Sequence, residues 1–341
     1  MSANMNAKAD MADSEQCPNP NPNPESRPKP HRSSEPSFVV AVGLVAGGAC
    51  GSLIRLALSA LQSPDVAWPW MTMAINLTGA VLLGCLTAYM AAIGPDIGEW
   101  RVVRLSLGTG MVGGYTTYST FMLEAAQRVT AGKAGLAMGY LAASIVFGLL
   151  CAMLGLALGS RLGRWHAGRI DFHPDRATGG DAAPRRAPNW GPVTQVAALL
   201  AVLVMVLAIG VNARFRHGAA LGLLLLASLL GGCGAFMRYL IDAWTNNHVH
   251  LPFPCGTIVV NVTACLLMGL MAGWCGAHAG LETLRYLLAS GLLGGYSTFG
   301  TASLEGAKLV NQGKIWQTAV HTLGMALVSF AAIMVGLLAL R

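Results

Sequence analysis

The chain reads as long apolar runs separated by short polar interruptions. Residues 38–61, 70–93, 102–126 and 136–159 are each long enough to cross a bilayer as a helix, which takes about 20 residues. Residues 193–211, 219–241, 253–274, 284–307 and 315–340 follow the same pattern. The expectation is an all-α integral membrane protein with four spans, one further span and four more, nine helices in all. Trp68 and Trp70 open the second run, where indole rings settle at the headgroup level. Two stretches are polar. Residues 1–37 contain Pro18-Asn19-Pro20-Asn21-Pro22-Asn23-Pro24 and predict a disordered tail without a cleavable signal. Residues 161–192 are basic and proline-containing and predict a linker.

The third run is interrupted by Gly113-Gly114-Tyr115-Thr116-Thr117-Tyr118-Ser119-Thr120-Phe121. A relative of it, Gly294-Gly295-Tyr296-Ser297-Thr298-Phe299-Gly300-Thr301-Ala302, interrupts the run at 284–307. Each copy is followed by Leu-Glu, at Leu123-Glu124 and Leu304-Glu305. Paired glycines and a Thr/Ser cluster weaken a helix. Broken backbone at membrane depth is tolerated where protein or water satisfies it. Two further motifs repeat in the same order. Gly51-Ser52-Leu53-Ile54-Arg55 is echoed by Gly234-Ala235-Phe236-Met237-Arg238, and Asn76-Leu77-Thr78 with Gly84 by Asn261-Val262-Thr263 with Gly269. Such repeats place a site at the repeat interface. The predicted organisation is a tail at 1–37, a first four-helix unit at 38–160, the linker at 161–192, a linking helix at 193–212 and a second unit at 213–341. A single linking helix inverts the second unit relative to the first.

Taken together, the three repeated motifs resemble the fluoride channel family (Fluc, also called CrcB), over residues 38–160 and 219–341. The resemblance implies two family units fused in one chain, functional as an antiparallel pseudo-dimer. It implies pores lined by the two aromatic positions of the third-helix motif, with rings from opposite units. Those positions are Tyr118 and Phe121 in the first unit, and Phe299 and Ala302 in the second. Phe121 with Phe299 forms one set. Tyr118 with Ala302 departs twice from the pattern, so one good pathway and one degenerate pathway are expected. The resemblance also implies a central structural Na+ held by backbone carbonyls of Gly113, Thr116, Gly294 and Ser297, and a polar track on the last helix that Ser144 fits and Met325 does not.

Composition and charge sharpen this picture. The chain is 54% hydrophobic and 11% charged, against about 25% charged in soluble domains. Its net charge of +7 comes from tails and loops, so no nucleic-acid partner is expected, and the lipid bilayer and fluoride are the expected partners. With the N-terminus cytoplasmic, Arg101, Arg104, Arg161, Arg164, Arg185, Arg186, Lys308 and Lys314 fall inside, while Arg128, Lys133, Arg214, Arg216, Arg285 and Arg341 fall outside. That bias predicts an N-inside protein of the inner (plasma) membrane. Eight cysteines without C-x-x-C spacing, mostly in apolar runs, read as small hydrophobes. His248-x-His250 reads as a solvated loop.

Fluoride is small and strongly hydrated, so a pathway must replace its water with donors. It must also bind weakly enough to release the ion. Neutral donors suit this: the amides of Asn76 and Asn261, hydroxyls at Thr117, Thr298 and Ser144, and the ring edges of Tyr118, Phe121 and Phe299. A lone intramembrane Asn also serves as glue between helices, and aromatic rings also serve as packing. Arg55 and Arg238 read either as vestibule charges that attract anions or as residues that snorkel to headgroups. A coupled small-ion or small-molecule exporter of the dual-topology type is the alternative. It would need a carboxylate at the centre of a span, whereas Glu124 and Glu305 lie towards helix ends. A scaffold would explain the glycines but not the repeated donors. No nucleophile–base set or metal cluster suggests an enzyme.

Overall fold

The computed structural model describes residues 38–63, 66–167 and 218–340. Among the described residues, all regular structure is helical. The first half comprises α1 (Phe38–Ser59), α2 (Trp70–Ile93), α3, α4 (Tyr118–Thr130) and α5 (Ala134–Ala167). Helix α3 starts at Gly98–Arg104, loosens into a π-helix at Leu105–Val112 and closes at Gly113–Tyr115. The second half comprises α6 (Gly218–His248), α7 (Gly256–Ala277), α8, α9 (Phe299–Asn311) and α10. Helix α8 repeats the design of α3, with Glu282–Arg285, a π-helix at Tyr286–Leu293, and Gly294–Tyr296. Helix α10 runs from Ile315–Ala319 through a π turn at Val320–Gly324 to Met325–Ala339. The linking span expected at 193–212, the tail and most of the expected linker lie outside the described residues.

Among the described residues, six helices are long and apolar enough to cross a membrane. The remaining crossing of each half is a broken pair, α3–α4 and α8–α9. The outer faces of α5 and α10 carry Phe147, Leu150, Leu154, Leu323, Leu327 and Val335, the apolar surface a bilayer covers. Helix α5 continues to Ala167, past the boundary expected at 160. The basic residues Arg161 and Arg164 end the apolar run but not the helix. Gly155 and Gly159 sit on the α2 backbone near Val81 and Cys85, and the His166 ring meets the Tyr89 hydroxyl at 3.1 Å. Small residues at this spacing let two backbones approach closely.

The halves run in opposite senses. On the α1–α6 contact, Ser52 lies against Gly231 and Gly48 against Ala235, so one chain rises as the other descends. The largest apolar core joins both halves: Tyr118, Phe121, Met122 and Tyr140 pack with Val260, Met268, Phe299 and Met325. The two breaks meet inside this core.

Candidate ion pathway at the crossed helix breaks

Each break is two extended residues long. Thr116 (φ −87°, ψ 151°) and Thr117 (φ −142°, ψ 129°) separate α3 from α4, and Ser297 (φ −77°, ψ 157°) and Thr298 (φ −147°, ψ 126°) separate α8 from α9. Thr117 then caps α4 by accepting from the Thr120 N–H, and Thr298 caps α9 by accepting from the Thr301 N–H. The extended backbone is held by the two asparagines. Thr117 N–H donates to Asn76 Oδ1 at 3.0 Å, and Asn76 Nδ2 donates to the Thr117 carbonyl at 3.0 Å. Asn261 makes the same pair with Thr298, both at 3.0 Å. An amide with one acceptor and two donors suits this two-sided clamp.

The halves also cap each other, which sequence reasoning missed. The Ser297 hydroxyl accepts from Tyr118 N–H and Ser119 N–H, each at 3.1 Å, and lies 2.9 Å from the Ser119 hydroxyl. In return, the Thr116 hydroxyl accepts from Gly300 N–H at 3.2 Å and lies 3.2 Å from the Thr298 hydroxyl. Both are buried. Thus orphan N–H groups at the start of each half's fourth segment find their acceptor on the opposite half. The signal in the sequence was the hydroxyl at Thr116 and its serine counterpart at 297.

The arginines are not at a vestibule or at the headgroups. Arg55 and Arg238 are 3% and 4% exposed, respectively. The breaks explain why, because they free backbone carbonyls from their helical partners. Arg55 Nε donates to the Gly114 carbonyl at 3.1 Å. Arg238 Nη1 reaches the Gly113 carbonyl at 3.0 Å and the Ser297 carbonyl at 3.4 Å, and its Nη2 donates to the Thr109 carbonyl. Several freed carbonyls offer a better site than snorkelling across a long apolar stretch. A side chain at Gly113 would occupy the space of the Arg238 guanidinium, so the glycine is required for this contact.

Beside the breaks lies an aromatic cluster. The Phe121 and Phe299 rings meet edge to face at 5.6 Å, Tyr118 lies 5.6 Å from Phe121 and 6.1 Å from Phe299, and Phe121 packs on Tyr140 at 5.1 Å. The last helix of the first half completes the wall. A Cβ on Gly148 would lie 2.6 Å from Phe299 Cε1 and Cζ, so the tip of that ring rests against α5. Ser144 is one turn from Gly148 and one turn from Tyr140. It therefore belongs to the side of Phe121 and Phe299, and its buried hydroxyl has no hydrogen-bond partner among the described residues. The second half differs here. Met325 stands where Ser144 does, and its sulfur accepts from Asn261 Nδ2 at 3.4 Å. With Tyr118, Phe299, Ala302, Thr322 and Leu149 it lines a cavity of only about 10 Å³.

An open vestibule of about 610 Å³ sits between the halves, lined by Thr120, Glu124 and Gln127 of α4 and by Arg285 and Ser290 of α8. Glu124 accepts from the Thr72 hydroxyl at 2.7 Å and the Tyr140 hydroxyl at 2.8 Å. The repeated Leu-Glu was the sequence signal for this residue, but Glu124 lies midway along α4, not towards a helix end as the apolar run suggested, because the break starts a new helix at Tyr118.

Comparison with known proteins gives a consistent result. The family model described as "CrcB-like protein, Camphor Resistance (CrcB)" matches twice, at residues 42–156 and 225–337. A protein of Cutibacterium acnes named fluoride-specific ion channel FluC 1 is 45% identical over 120 residues, 35% of this chain and 84% of that protein. A Mycobacterium bovis protein of the same name is 44% identical over 118 residues, 34% of this chain and 87% of that protein. The fluoride-specific ion channel FluC of Deinococcus radiodurans is 38% identical over 130 residues, 37% of this chain and 99% of that protein. No solved structure matches.

Proposed function

The chain belongs to the CrcB family, and on that premise we propose that it is a fluoride channel with two family units in one chain, letting cytosolic fluoride leave passively. The observation that carries the reading is the Phe121–Phe299 pair beside the unpartnered Ser144 hydroxyl, where the two breaks cross. Ring edges and a neutral hydroxyl can replace water around a small anion without holding it as tightly as a charge would. Hydrogen fluoride enters cells as a neutral acid and ionises in the cytosol. An inside-negative potential then drives the anion out by about 2.3 kcal/mol per 100 mV, so no coupling is needed. A channel family is not an enzyme class. The plasma membrane, with the N-terminus inside, is the location that this role and the loop charges favour.

Conduction is assigned to the Phe121–Phe299 side. There, Asn76 keeps a second amide N–H beyond its bond to Thr117, and Ser144 keeps its hydroxyl. On the other side, Asn261 gives an N–H to the sulfur of Met325, and Ala302 supplies no ring. A central Na+ is proposed on the carbonyls of Gly113, Thr116, Gly294 and Ser297. The fit is chemical: the breaks withdraw the helical N–H partners of Thr117 and Thr298, which turn to the asparagines. Those carbonyls are hard oxygen donors. Two of them also accept from Arg238, and each carbonyl has a second lone pair. Bound there, the ion would tie the two breaks together.

The test is fluoride and chloride efflux from liposomes holding the full chain, with the membrane potential clamped. A fluoride flux that follows the potential with little chloride flux is expected. Phe121→Ala and Phe299→Ala should each reduce it by at least tenfold, and Tyr118→Ala should change it less than twofold, by the one-pathway assignment. Flux that needs a proton or sodium gradient would favour a coupled exporter. A mild Phe299→Ala would overturn the assignment of the conducting side.

A further inference from the structure

The halves diverge at one buried pair. In the first half, Glu124 is satisfied by Thr72 and by Tyr140, a residue with a fixed hydroxyl. In the second half, His321 takes the place of Tyr140, and Glu305 takes the place of Glu124. Thr257 still flanks the carboxylate. The His321 Nε2 lies 3.4 Å from Glu305 Oε2, with the imidazole 0% and the carboxylate 16% exposed. Neither ring nitrogen nor Glu305 Oε2 makes a hydrogen bond of ordinary geometry among the described residues, and the backbones of Pro254 and Ala302 lie beside the ring. Two further features set the ring apart. The π turn Val320–Gly324 wraps it, whereas α5 stays regular at Tyr140. And Ala302 stands where Phe121 packs on Tyr140, leaving Phe253 at 6.5 Å as its aromatic neighbour.

We propose that His321 and Glu305 form a proton-binding site between α9 and α10, across α9 from the Phe121–Phe299 side, and that its protonation raises fluoride conduction by drawing anions to that face. The inference rests on the fluoride-channel reading. Acidification near neutral pH adds no charge to a tyrosine hydroxyl, whereas an imidazole can take up a proton, ordinarily between about pH 5 and 8. The partly exposed carboxylate gives protons access to the enclosed ring. The charged groups around the pair are Asp242 of α6, with Arg238 behind it, and Lys308 of α9, with Arg104 of α3 beyond it in an ion pair with Asp96; Thr257 of α7 and Phe253 of the α6–α7 loop are neutral. Here Lys308 replaces the Gln127 of the first half, so one added proton tips an acid–base-balanced face towards positive. A more positive face concentrates anions. On the N-inside orientation this is the cytosolic face. Each hydrogen fluoride molecule that ionises there releases a proton and a fluoride ion together, so the site responds to the load the channel must clear.

The experiment is fluoride current through the purified full chain in planar bilayers, with pH stepped from about 8 to 5 on each side in turn. Neutral hydrogen fluoride carries no current and does not interfere. The expected result is a rise of roughly threefold on acidifying one side only, the effect of one charge about 10 Å away in a medium between protein and water. His321→Tyr, which rebuilds the pair of the first half, should keep the current and flatten the profile. His321→Gln should flatten it as well, and Glu305→Gln should displace the titration. A flat wild-type profile, or a His321→Tyr channel that keeps the wild-type response, overturns the proposal. If the wild type carries no fluoride current, the channel reading itself fails. The proton site is then read by NMR of isotope-labelled histidine: a His321 ring that titrates in this range and shifts with Glu305→Gln supports it, and a ring that does not titrate sinks it.

Discussion

Asn76 and Asn261 commit one side of each amide to the backbone of the breaks. Both the N–H and the C=O of Thr117 and of Thr298 depend on a single side chain. Truncation would orphan two buried groups, at about 1–3 kcal/mol each. Asn76→Ala and Asn261→Ala are therefore expected to lower the melting temperature of the full chain in detergent markedly, along with any loss of flux. If Asn76→Ala abolished flux with unchanged melting, its amide would act on the ion instead of holding the break. At this scale the sequence revealed which residues matter, because each came in a repeated motif. It did not reveal what they touch. Arg55 and Arg238 read as vestibule charges because hydropathy cannot register the carbonyls that a distant break sets free. Met325 read only as a departure from a polar track, and its bond to Asn261 crosses from α10 to α7.

At the scale of the element, the broken helices were legible and their mutual support was not. Glycine pairs followed by Thr or Ser gave the break to within a few residues. Capping across the halves depends on two segments about 180 residues apart in sequence crossing at one point, which no local pattern encodes. The two caps are unequal. The Ser297 hydroxyl serves two backbone N–H groups and meets the Ser119 hydroxyl, while that of Thr116 serves one backbone N–H, of Gly300, and meets the Thr298 hydroxyl. Ser297→Ala should thus destabilise the chain by about 2 kcal/mol and Thr116→Val by about 1, the range for lost helix caps. Denaturant unfolding followed by tryptophan fluorescence would measure both. Equal losses would argue that the two crossings are equivalent, and no loss from Ser297→Ala would remove the cross-cap from the account.

At the scale of the molecule, the inversion of the halves decides which loops share a face. Gln127, near the end of α4, lines the same vestibule as Arg285, at the start of α8. Lys308, near the end of α9, feels Arg104, at the end of the first segment of α3. Each half's third crossing therefore ends where the other half's begins, and equivalent loops of the two halves lie on opposite faces. Lys133 and Lys314 hold equivalent places in the turns after α4 and α9, and both are exposed. With the N-terminus cytoplasmic, a membrane-impermeant thiol reagent added to intact cells should label Lys133→Cys and leave Lys314→Cys unlabelled in a cysteine-free background. Opening the cells should expose Lys314→Cys. Labelling of both from outside would mean that the chain inserts in two orientations, as subunits that pair with their own inverted copies must. The fused chain has its inverted copy built in, so a fixed orientation costs it nothing. It also leaves the two faces free to differ, with Gln127 facing one side and Lys308, beside the His321–Glu305 pair, facing the other.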